Sequence, residues 1–203
     1  MCGIAGVFNL NKKEVFYEDY IKSFKSLSHR GPEGNNFKKI KKNLIFSHNK
    51  LAIIGDNLKN YQPFVDITNQ FAITFNGAIY NYLELKDELE GLKVNFFTDT
   101  DTEVILNSYK IWGEECVKKF EGMWAFAIWD NKNNKVFLSR DRFGEKPLYY
   151  SLKENIFYFA SEIKTFALFN ENYSFNFELI ASFKDDVYGE ETFLKNVRSL
   201  APG

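Results

Sequence analysis

Short apolar segments that come in pairs are the feature of this sequence that most restricts its possible folds. Residues 123–129 and 135–139 flank a polar tetrapeptide, and residues 149–150 and 156–160 flank a second short polar stretch. Apolar runs joined by a short polar turn are typical of antiparallel hairpins. A sheet made of such hairpins exposes an apolar face, which helices or another sheet must cover.

Further apolar runs predict additional strands before these hairpins. They lie at residues 3–8, 43–47, 51–54 and 71–75. The dipeptide Asn76-Gly77 follows the last of these runs, and this pair of residues is typical of a tight turn. The sequence therefore predicts several short strands that suit antiparallel pairing.

Segments with helical spacing are inserted among the strands. Residues 17–27 place Tyr20, Phe24 and Leu27 on one face, and residues 82–89 form a second short helix. Such helices provide the apolar faces that cover a sheet.

Two polar residues indicate where later helices begin. Thr100 and Glu103 match a capping box that opens a helix through Trp112. Ser161 is expected to cap a helix that ends at Leu168. Strands in antiparallel pairs with helices between them predict an α+β fold with two antiparallel sheets, rather than a doubly wound parallel sheet.

Composition limits the class of function. The 203 residues suit one domain, and 26 Lys and Arg balance 27 Asp and Glu, which argues against a nucleic-acid partner. The sequence has no apolar run of transmembrane length and no basic, apolar leader, so we expect no membrane partner. Two cysteines are too few for a disulfide framework and favour a reducing cytoplasm.

Cys2 directly follows the initiator methionine. Removal of Met1 would expose a thiol and an α-amine on one residue, with reference pKa values of about 8.5 and about 8. Such an amine suits general-base activation of the thiol near neutral pH. The position alone is equally compatible with a small buried apolar residue at the start of a strand.

Several motifs occur in the same order as in a known family. They are MCGIAGVF (1–8), SHRGPEG (28–34), FNGAIYN (75–81), TDTEVIL (100–106), EGMWAFAIWD (121–130), RDRFGEKPLYY (140–150) and FASEIK (159–164). This series resembles the class II glutamine amidotransferases, which are N-terminal-nucleophile (Ntn) hydrolases. The resemblance spans nearly the whole chain and implies a four-layer α-β-β-α sandwich of two antiparallel sheets flanked by helices.

The motifs at 28–34 and 140–150 resemble the asparagine synthetase B (glutamine-hydrolysing) branch in particular. This implies a glutaminase domain at residues 1–185 and a linker at 186–203 toward an ATP-dependent synthetase domain in cis. The implied reaction releases ammonia from L-glutamine for amidation of aspartate, with no cofactor or metal in the glutaminase domain. ATP and Mg would serve only the synthetase domain, and a homodimer is possible.

The resemblance also implies roles for individual residues. Cys2 is the nucleophile and its own amine the base, while Asn76 and Gly77 form the oxyanion hole. Asp101 binds the substrate's α-ammonium, although a carboxylate at a helix start also stabilises the helix. Arg30 lies near the nucleophile, either in the catalytic site or in a structural ion pair.

Two positions differ from the family pattern. Lys50 stands where an arginine usually binds the α-carboxylate of glutamine, and Ala78 stands where a glutamate usually follows Asn-Gly. Ile53 and Ile54 are expected to contact the substrate through their backbone. Two alternatives therefore remain open: an amidotransferase for another acceptor, as in surface-polysaccharide assembly, or a non-catalytic regulatory domain with a degraded glutamine pocket.

Overall fold

A computed structural model describes residues 1–51, 61–169, 173–181 and 189–203. Its strands form two antiparallel sheets, and its helices cover their outer faces. The predicted α+β, four-layer α-β-β-α arrangement is confirmed.

The first sheet carries the N-terminal strand in its interior. Its strands are β1 (Gly3–Asn9), β2 (Gly34–Lys41), β3 (Leu44–Lys50), β8 (Tyr149–Lys153), β9 (Ile156–Ala160) and β10 (Arg198–Ser199), in the order β10-β8-β9-β1-β3-β2. All seven residues of β1 are buried. Their small and apolar side chains suit a strand covered on both faces.

The second sheet carries the Asn76-Gly77 pair. Its strands are β4 (Phe64–Val65), β5 (Phe71–Ile79), β6 (Gly122–Asp130) and β7 (Lys135–Arg140), in that order across the sheet. Both hairpins predicted from paired apolar runs, β6–β7 and β8–β9, are present.

Helices form the two outer layers. They are α1 (Ile21–Lys25), α2 (Tyr82–Gly91), α3 (Asp101–Trp112), α4 (Lys164–Phe169) and α5 (Phe177–Ala181). Phe24 of α1 and Phe166 of α4 pack in one buried cluster with Val7 of the first sheet, while Leu89 and Ile105 of α2 and α3 pack in another against the second sheet. A third buried cluster lies between the sheets.

Two local predictions are wrong. Asn76 and Gly77 do not form a tight turn, because β5 continues through them and pairs them with Ala125 and Trp124 of β6. A side chain at position 77 would meet the backbone of β6, at 2.1 Å from the Met123 carbonyl, so the close strand approach requires glycine.

Ser161 does not cap α4. It exchanges two hydrogen bonds with Ile4 of β1: its N–H donates to the Ile4 carbonyl at 2.9 Å, and its hydroxyl accepts the Ile4 N–H at 3.0 Å. The helix begins only at Lys164. The hydroxyl thus extends the pairing of β1 instead of satisfying a helix end.

Other predictions are confirmed in part. The Thr100 side chain caps α3 by accepting the Glu103 N–H, as predicted. The Glu103 carboxylate accepts the backbone N–H groups of Phe97 and Thr98, so only half of the capping box forms. The segment 17–27 is a 3-10 turn at Tyr17–Tyr20 followed by α1.

Some predictions fall where the structure is not described. Within the strand predicted at 51–54, the structure describes only Leu51, which lies outside the strands; the remaining positions lie outside the described residues. The boundary predicted between 185 and 186 also lies outside them and stays a prediction.

Candidate active site

Cys2 lies one residue before β1. Its side chain is partly buried, and its Sγ lies 3.9 Å from the Leu51 carbonyl oxygen. Its own carbonyl accepts a hydrogen bond from Arg30 Nε at 3.0 Å. The residue is therefore fixed in place by β1 on one side and by the Arg30 loop on the other.

Alternation along β1 and β5 decides which side chains face the layer between the sheets. Ile4 and Phe8 belong to the cluster between the sheets, so Cys2, at the same two-residue spacing, faces that layer. Ala72 belongs to the same cluster, so Asn76 faces the layer from the opposite sheet.

Two contacts set the alignment of the sheets. Phe8 packs edge-on against Trp129, which pairs with Ala72. The Thr74 hydroxyl donates to the Ser47 carbonyl at 3.1 Å, across the layer. The direction from Phe8 to Cys2 along β1 therefore matches the direction toward residues 76–78 along β5. The Cys2 thiol and the Asn76-Gly77 pair thus lie at the same end of the sandwich.

Asn76 presents an unused hydrogen-bond donor. Its side chain is 2% exposed, and its Nδ2 has no hydrogen-bond partner within the described part of the chain. Leaving a buried donor unpaired costs about 1–3 kcal/mol. Such groups are uncommon in folded proteins and are characteristic of sites that receive a ligand.

The Gly77 N–H is kept out of the β5–β6 ladder. Trp124, which stands opposite Gly77, donates its N–H to Asp141 Oδ2 at 3.2 Å and accepts the Asp141 N–H at 2.9 Å. The alternation of an antiparallel pair then directs the Gly77 N–H toward the other edge of β5.

Side chains take the neighbouring N–H groups on that edge. The Phe75 N–H donates to Gln62 Oε1 at 2.6 Å, and the Ile79 N–H donates to Asp101 Oδ2 at 3.2 Å. Gly77 lies between these two positions. Asn76 Nδ2 and the Gly77 N–H thus belong to neighbouring residues, and both point away from the β5–β6 ladder.

Asp101 is brought to this site by the first turn of α3. Burial raises the pKa of its carboxyl group, and backbone N–H groups of Ile79, Thr102 and Asp101 itself oppose this rise. A partly buried carboxylate that forms no ion pair within the described residues is suited to a cationic ligand.

Arg30 connects Cys2 to an ion-pair network. Its Nη1 lies 3.0 Å from Glu162 Oε1, which also accepts from His29 Nε2 at 2.8 Å. Burial would raise the pKa of Glu162, but Arg30, Lys164 and His29 together hold it below its ordinary value. Arg30 Nη2 is buried and has no partner among the described residues.

Lys50 and Ala78 face the same layer from opposite sheets. Lys50 shares its face of β3 with Phe46 and His48, and Ala78 shares its face of β5 with Asn76. Burial, followed by the nearby charge of Lys50, lowers the pKa of His48 to about 4, although the Phe75 backbone opposes the shift. His48 is therefore neutral near pH 7, and Lys50 carries the local charge.

The structure brings most of the predicted site residues together. Arg30 contacts Cys2 directly, and Asp101 contacts the end of β5 at Ile79. The other predicted residues lie at the same end of the two sheets; they are Lys50, Asn76, Gly77 and Ala78. Ile53 and Ile54 lie outside the described residues. Asp141 and Gln62 also bind backbone groups at the site, but they were not predicted from the sequence. Their effect depends on contacts with strand backbones that are distant in the chain. Asp141 lies in the motif at 140–150, which was the available signal.

The described residues hold no cluster of three or more metal-ligating side chains. No helix among them is both long and apolar enough to cross a membrane. Cys2 and Cys116 are both free thiols, and Cys116 is fully buried.

Solved structures with the same fold have been described. The glutamine phosphoribosylpyrophosphate amidotransferase from Bacillus subtilis, complexed with ADP and GMP, has a TM-score of 0.68 and 23% identity, and the match covers 83% of this chain and 43% of that one. A second structure, the allosteric regulatory enzyme of purine biosynthesis, has a TM-score of 0.70 and 24% identity over the same shares. At these identities the likeness shows the fold alone. Together with two face-to-face antiparallel sheets, it defines an Ntn-hydrolase fold.

Sequence comparison narrows this class to one family. Residues 1–203 match the family model of the glutamine amidotransferase domain, so the chain belongs to that family. A putative glutamine-hydrolyzing asparagine synthetase 2 of Methanocaldococcus jannaschii is 43% identical over 183 residues, covering 81% of this chain and 34% of that protein. The glutamine-hydrolyzing asparagine synthetase 1 of Bacillus subtilis is 35% identical over 208 residues, covering 100% and 33%. The chain spans about a third of the length of these relatives.

Proposed function

We propose that this domain hydrolyses L-glutamine to glutamate and ammonia, with Cys2 as the nucleophile after removal of Met1. The observation that carries the proposal is the position of Cys2 at the end of the sandwich where Asn76 Nδ2 and the Gly77 N–H are available as donors. The relatives in the asparagine synthetase group are named as glutamine-hydrolysing, which supports the same donor substrate.

The first half of the reaction forms a thioester. The α-amine of Cys2 takes the proton from Sγ, and Sγ attacks the side-chain amide carbon of glutamine. The amide oxygen becomes an oxyanion that accepts hydrogen bonds from Asn76 Nδ2 and the Gly77 N–H. When the C–N bond breaks, the amine returns its proton to the departing nitrogen, which leaves as ammonia.

The second half regenerates the thiol. The same amine takes a proton from water, and the resulting hydroxide attacks the thioester carbon. The C–S bond breaks, the amine returns the proton to Sγ, and glutamate leaves. One residue thus supplies nucleophile and base, and the two donors stabilise both oxyanions.

Charged groups at the edge of the site hold the amino-acid end of glutamine. Asp101 binds the α-ammonium, and Lys50 binds the α-carboxylate through a single ammonium rather than the two-pronged guanidinium of arginine. Backbone groups of Ile53 and Ile54 add contacts. Arg30 holds the Cys2 carbonyl and so fixes the direction of the nucleophile.

In the whole protein we propose that the ammonia serves amidation of aspartate by an ATP-dependent synthetase domain in cis. The share of the relatives that this chain covers supports a longer protein of that kind. On this proposal residues 1–185 form the glutaminase domain and 186–203 the linker. ATP and Mg belong to the synthetase domain, the glutaminase domain uses no cofactor, and the location is cytoplasmic.

A glutaminase assay on the Met-processed chain tests the proposal. Intact mass must first show loss of Met1. Release of glutamate and ammonia in equal amounts, and its loss in Cys2→Ala, is the expected result. No turnover at millimolar glutamine by a folded, processed chain would instead support the non-catalytic alternative that Lys50 and Ala78 raise.

A further inference from the structure

Lys146 is a buried lysine in the loop that joins the two sheets. Residues 141–148 run from β7 of the second sheet to β8 of the first. The Lys146 N–H donates to Asp141 Oδ2 at 3.0 Å, and its carbonyl accepts from Arg140 Nε at 2.7 Å. The backbone is therefore held at two points, and the side chain is only 7% exposed.

The ammonium of Lys146 points at the N-terminus. Its Nζ lies 3.5 Å from the Met1 sulfur. Ten ion pairs occur within the described ranges, and the Lys146 ammonium takes part in none of them. A thioether is a weak acceptor, and burial of a charge without a strong partner is costly.

Removal of Met1 changes the surroundings of this ammonium. The sulfur is the only side-chain acceptor for Nζ in the described residues, and it belongs to the residue that processing would delete. Because Met1 is bonded to the Cys2 nitrogen, an Nζ that contacts the Met1 sulfur lies about one methionine side chain away from the amine that processing would free. A buried positive charge would face the mature N-terminus.

We propose that Lys146 is a positioning residue for catalysis, whose ammonium beside the mature N-terminus favours the neutral amine and the thiolate of Cys2. This inference rests on the proposed role of Cys2. A nearby positive charge disfavours a second ammonium and favours an anion. The first effect keeps the amine free to accept the thiol proton, and the second stabilises the thiolate that this transfer forms.

Neither carboxylate of this loop, Glu145 or Asp141, forms an ion pair with Lys146 within the described residues, and Glu145 is exposed to solvent. Asp141 accepts the backbone N–H groups of Trp124, Phe143, Glu145 and Lys146. Burial would raise its pKa, but these four donors outweigh that effect and hold the pKa below its ordinary value. Its negative charge is therefore directed to the backbone of its own loop.

Other charges around Cys2 are also accounted for. The Arg30 guanidinium contacts the Cys2 carbonyl and is paired with Glu162. Lys50 is a second cation on the face of β3 toward Cys2, while His48 beside it is neutral near pH 7 because burial lowers its pKa to about 4. Lys146 thus adds to a positive environment that Glu162 offsets on the Arg30 side and Asp101 offsets beside the end of β5.

The test measures the titration of the Cys2 thiol directly. Alkylation by iodoacetamide follows the thiolate, and Cys116 is fully buried, so peptide mass analysis of the processed chain reports Cys2. We expect Lys146→Met to slow the alkylation of Cys2 near pH 7 by about tenfold, because a smaller fraction of the thiol is then ionised. Lys146→Arg keeps the charge and restores most of the wild-type rate.

A matched control is Lys132→Met. Lys132 is exposed in the β6–β7 turn at the opposite end of the sandwich, so its removal leaves the Cys2 titration unchanged.

In glutamine hydrolysis the acidic limb of kcat/KM moves to higher pH in Lys146→Met, because the amine then stays protonated to a higher pH.

An unchanged thiol titration in folded Lys146→Met overturns the inference, even if the wild type hydrolyses glutamine. Lys146→Gln provides a second neutral variant if Lys146→Met does not fold. If the wild type releases no ammonia, the proposed function fails, yet the alkylation profile still decides whether Lys146 acts on Cys2.

Discussion

Asp141 occupies both backbone hydrogen-bonding groups of Trp124: its N–H donates to the Trp124 carbonyl at 2.9 Å, and its carboxylate accepts the Trp124 N–H at 3.2 Å. Trp124 stands opposite Gly77 in the sheet. Gly77 and Trp124 thus form a non-hydrogen-bonded pair, in which the Gly77 N–H points away from β6. Asp141, fully buried in the β7–β8 loop, satisfies the Trp124 groups that this register directs away from Gly77.

Asp141→Asn is expected to lower stability by about 2 kcal/mol at pH 7, since four backbone N–H groups lose a charged acceptor. The melting temperature should fall by about 4–8 °C. Because the pKa of Asp141 is lowered in the fold, its contribution is present above pH ~4 and is lost as pH falls through the folded pKa. The difference between variant and wild type should therefore shrink in acid.

The control for this loop is Asp87→Asn on the exposed side of α2, which should unfold as the wild type does. Calorimetry from pH 3 to 7 measures both variants. A constant difference across that range would contradict the assignment of the effect to the Asp141 carboxylate.

Asn76→Ala is expected to lower kcat about 10²–10³-fold with a small change in KM, because it removes one donor to the oxyanion. Stability should not fall by the usual cost of a lost hydrogen bond, since Nδ2 has no partner among the described residues. Steady-state kinetics and thermal unfolding check both parts. A large loss of stability with unchanged kcat would identify Asn76 as a structural residue.

Asp101→Asn is expected to raise KM for glutamine about ten- to a hundredfold, through loss of a charge-assisted hydrogen bond to the α-ammonium. Burial raises the pKa of Asp101, so the ionised carboxylate destabilises the fold as pH rises through that pKa. The variant should then be at least as stable as the wild type at pH 7. Kinetics and unfolding at pH 5 and 8 separate the two effects.

Lys50→Arg and Ala78→Glu are expected to lower KM for glutamine, by about three- to tenfold each, since a forked cation and an added carboxylate supply contacts at opposite ends of the amino-acid group. Both positions face the layer between the sheets. Isothermal titration of a Cys2→Ala background with glutamine measures the affinity. If neither change strengthens binding, the assignment of the pocket is wrong.

Sequence patterns predicted β1, β3, β5 and the strands of the two hairpins, because local alternation and short turns determine them. They did not predict β2, β4 or β10, which the structure adds. The β6–β7 and β8–β9 hairpins and the Thr100 cap follow from residues close together in the chain. The predictions for Asn76-Gly77 and Ser161 were wrong because tertiary contacts override the local preference of these residues. Pairing with β6 keeps Asn76-Gly77 in a strand, and the Ser161 hydroxyl accepts the Ile4 N–H instead of capping a helix.

The order of short motifs was enough to predict the family and to name Cys2, Asn76, Gly77 and Asp101 as a group. These motifs are contiguous, so one sequence displays them. Asp141 and Lys146 lie in the motif at 140–150, and Gln62 lies in none of the motifs. No local pattern indicated the contacts of these three residues, because each acts through a residue distant in the chain.

The sequence by itself determined most of the strands, the cysteine after Met1 and the residue types that a glutaminase site requires, because these are properties of local pattern and chemistry. Only the tertiary structure decided that β1 and β5 align at the same end, that Gly77 is excluded from its ladder and that a buried lysine faces the N-terminus. Those features depend on how two sheets pack and which backbone groups meet across them, and packing between distant segments is not written in any local stretch of residues.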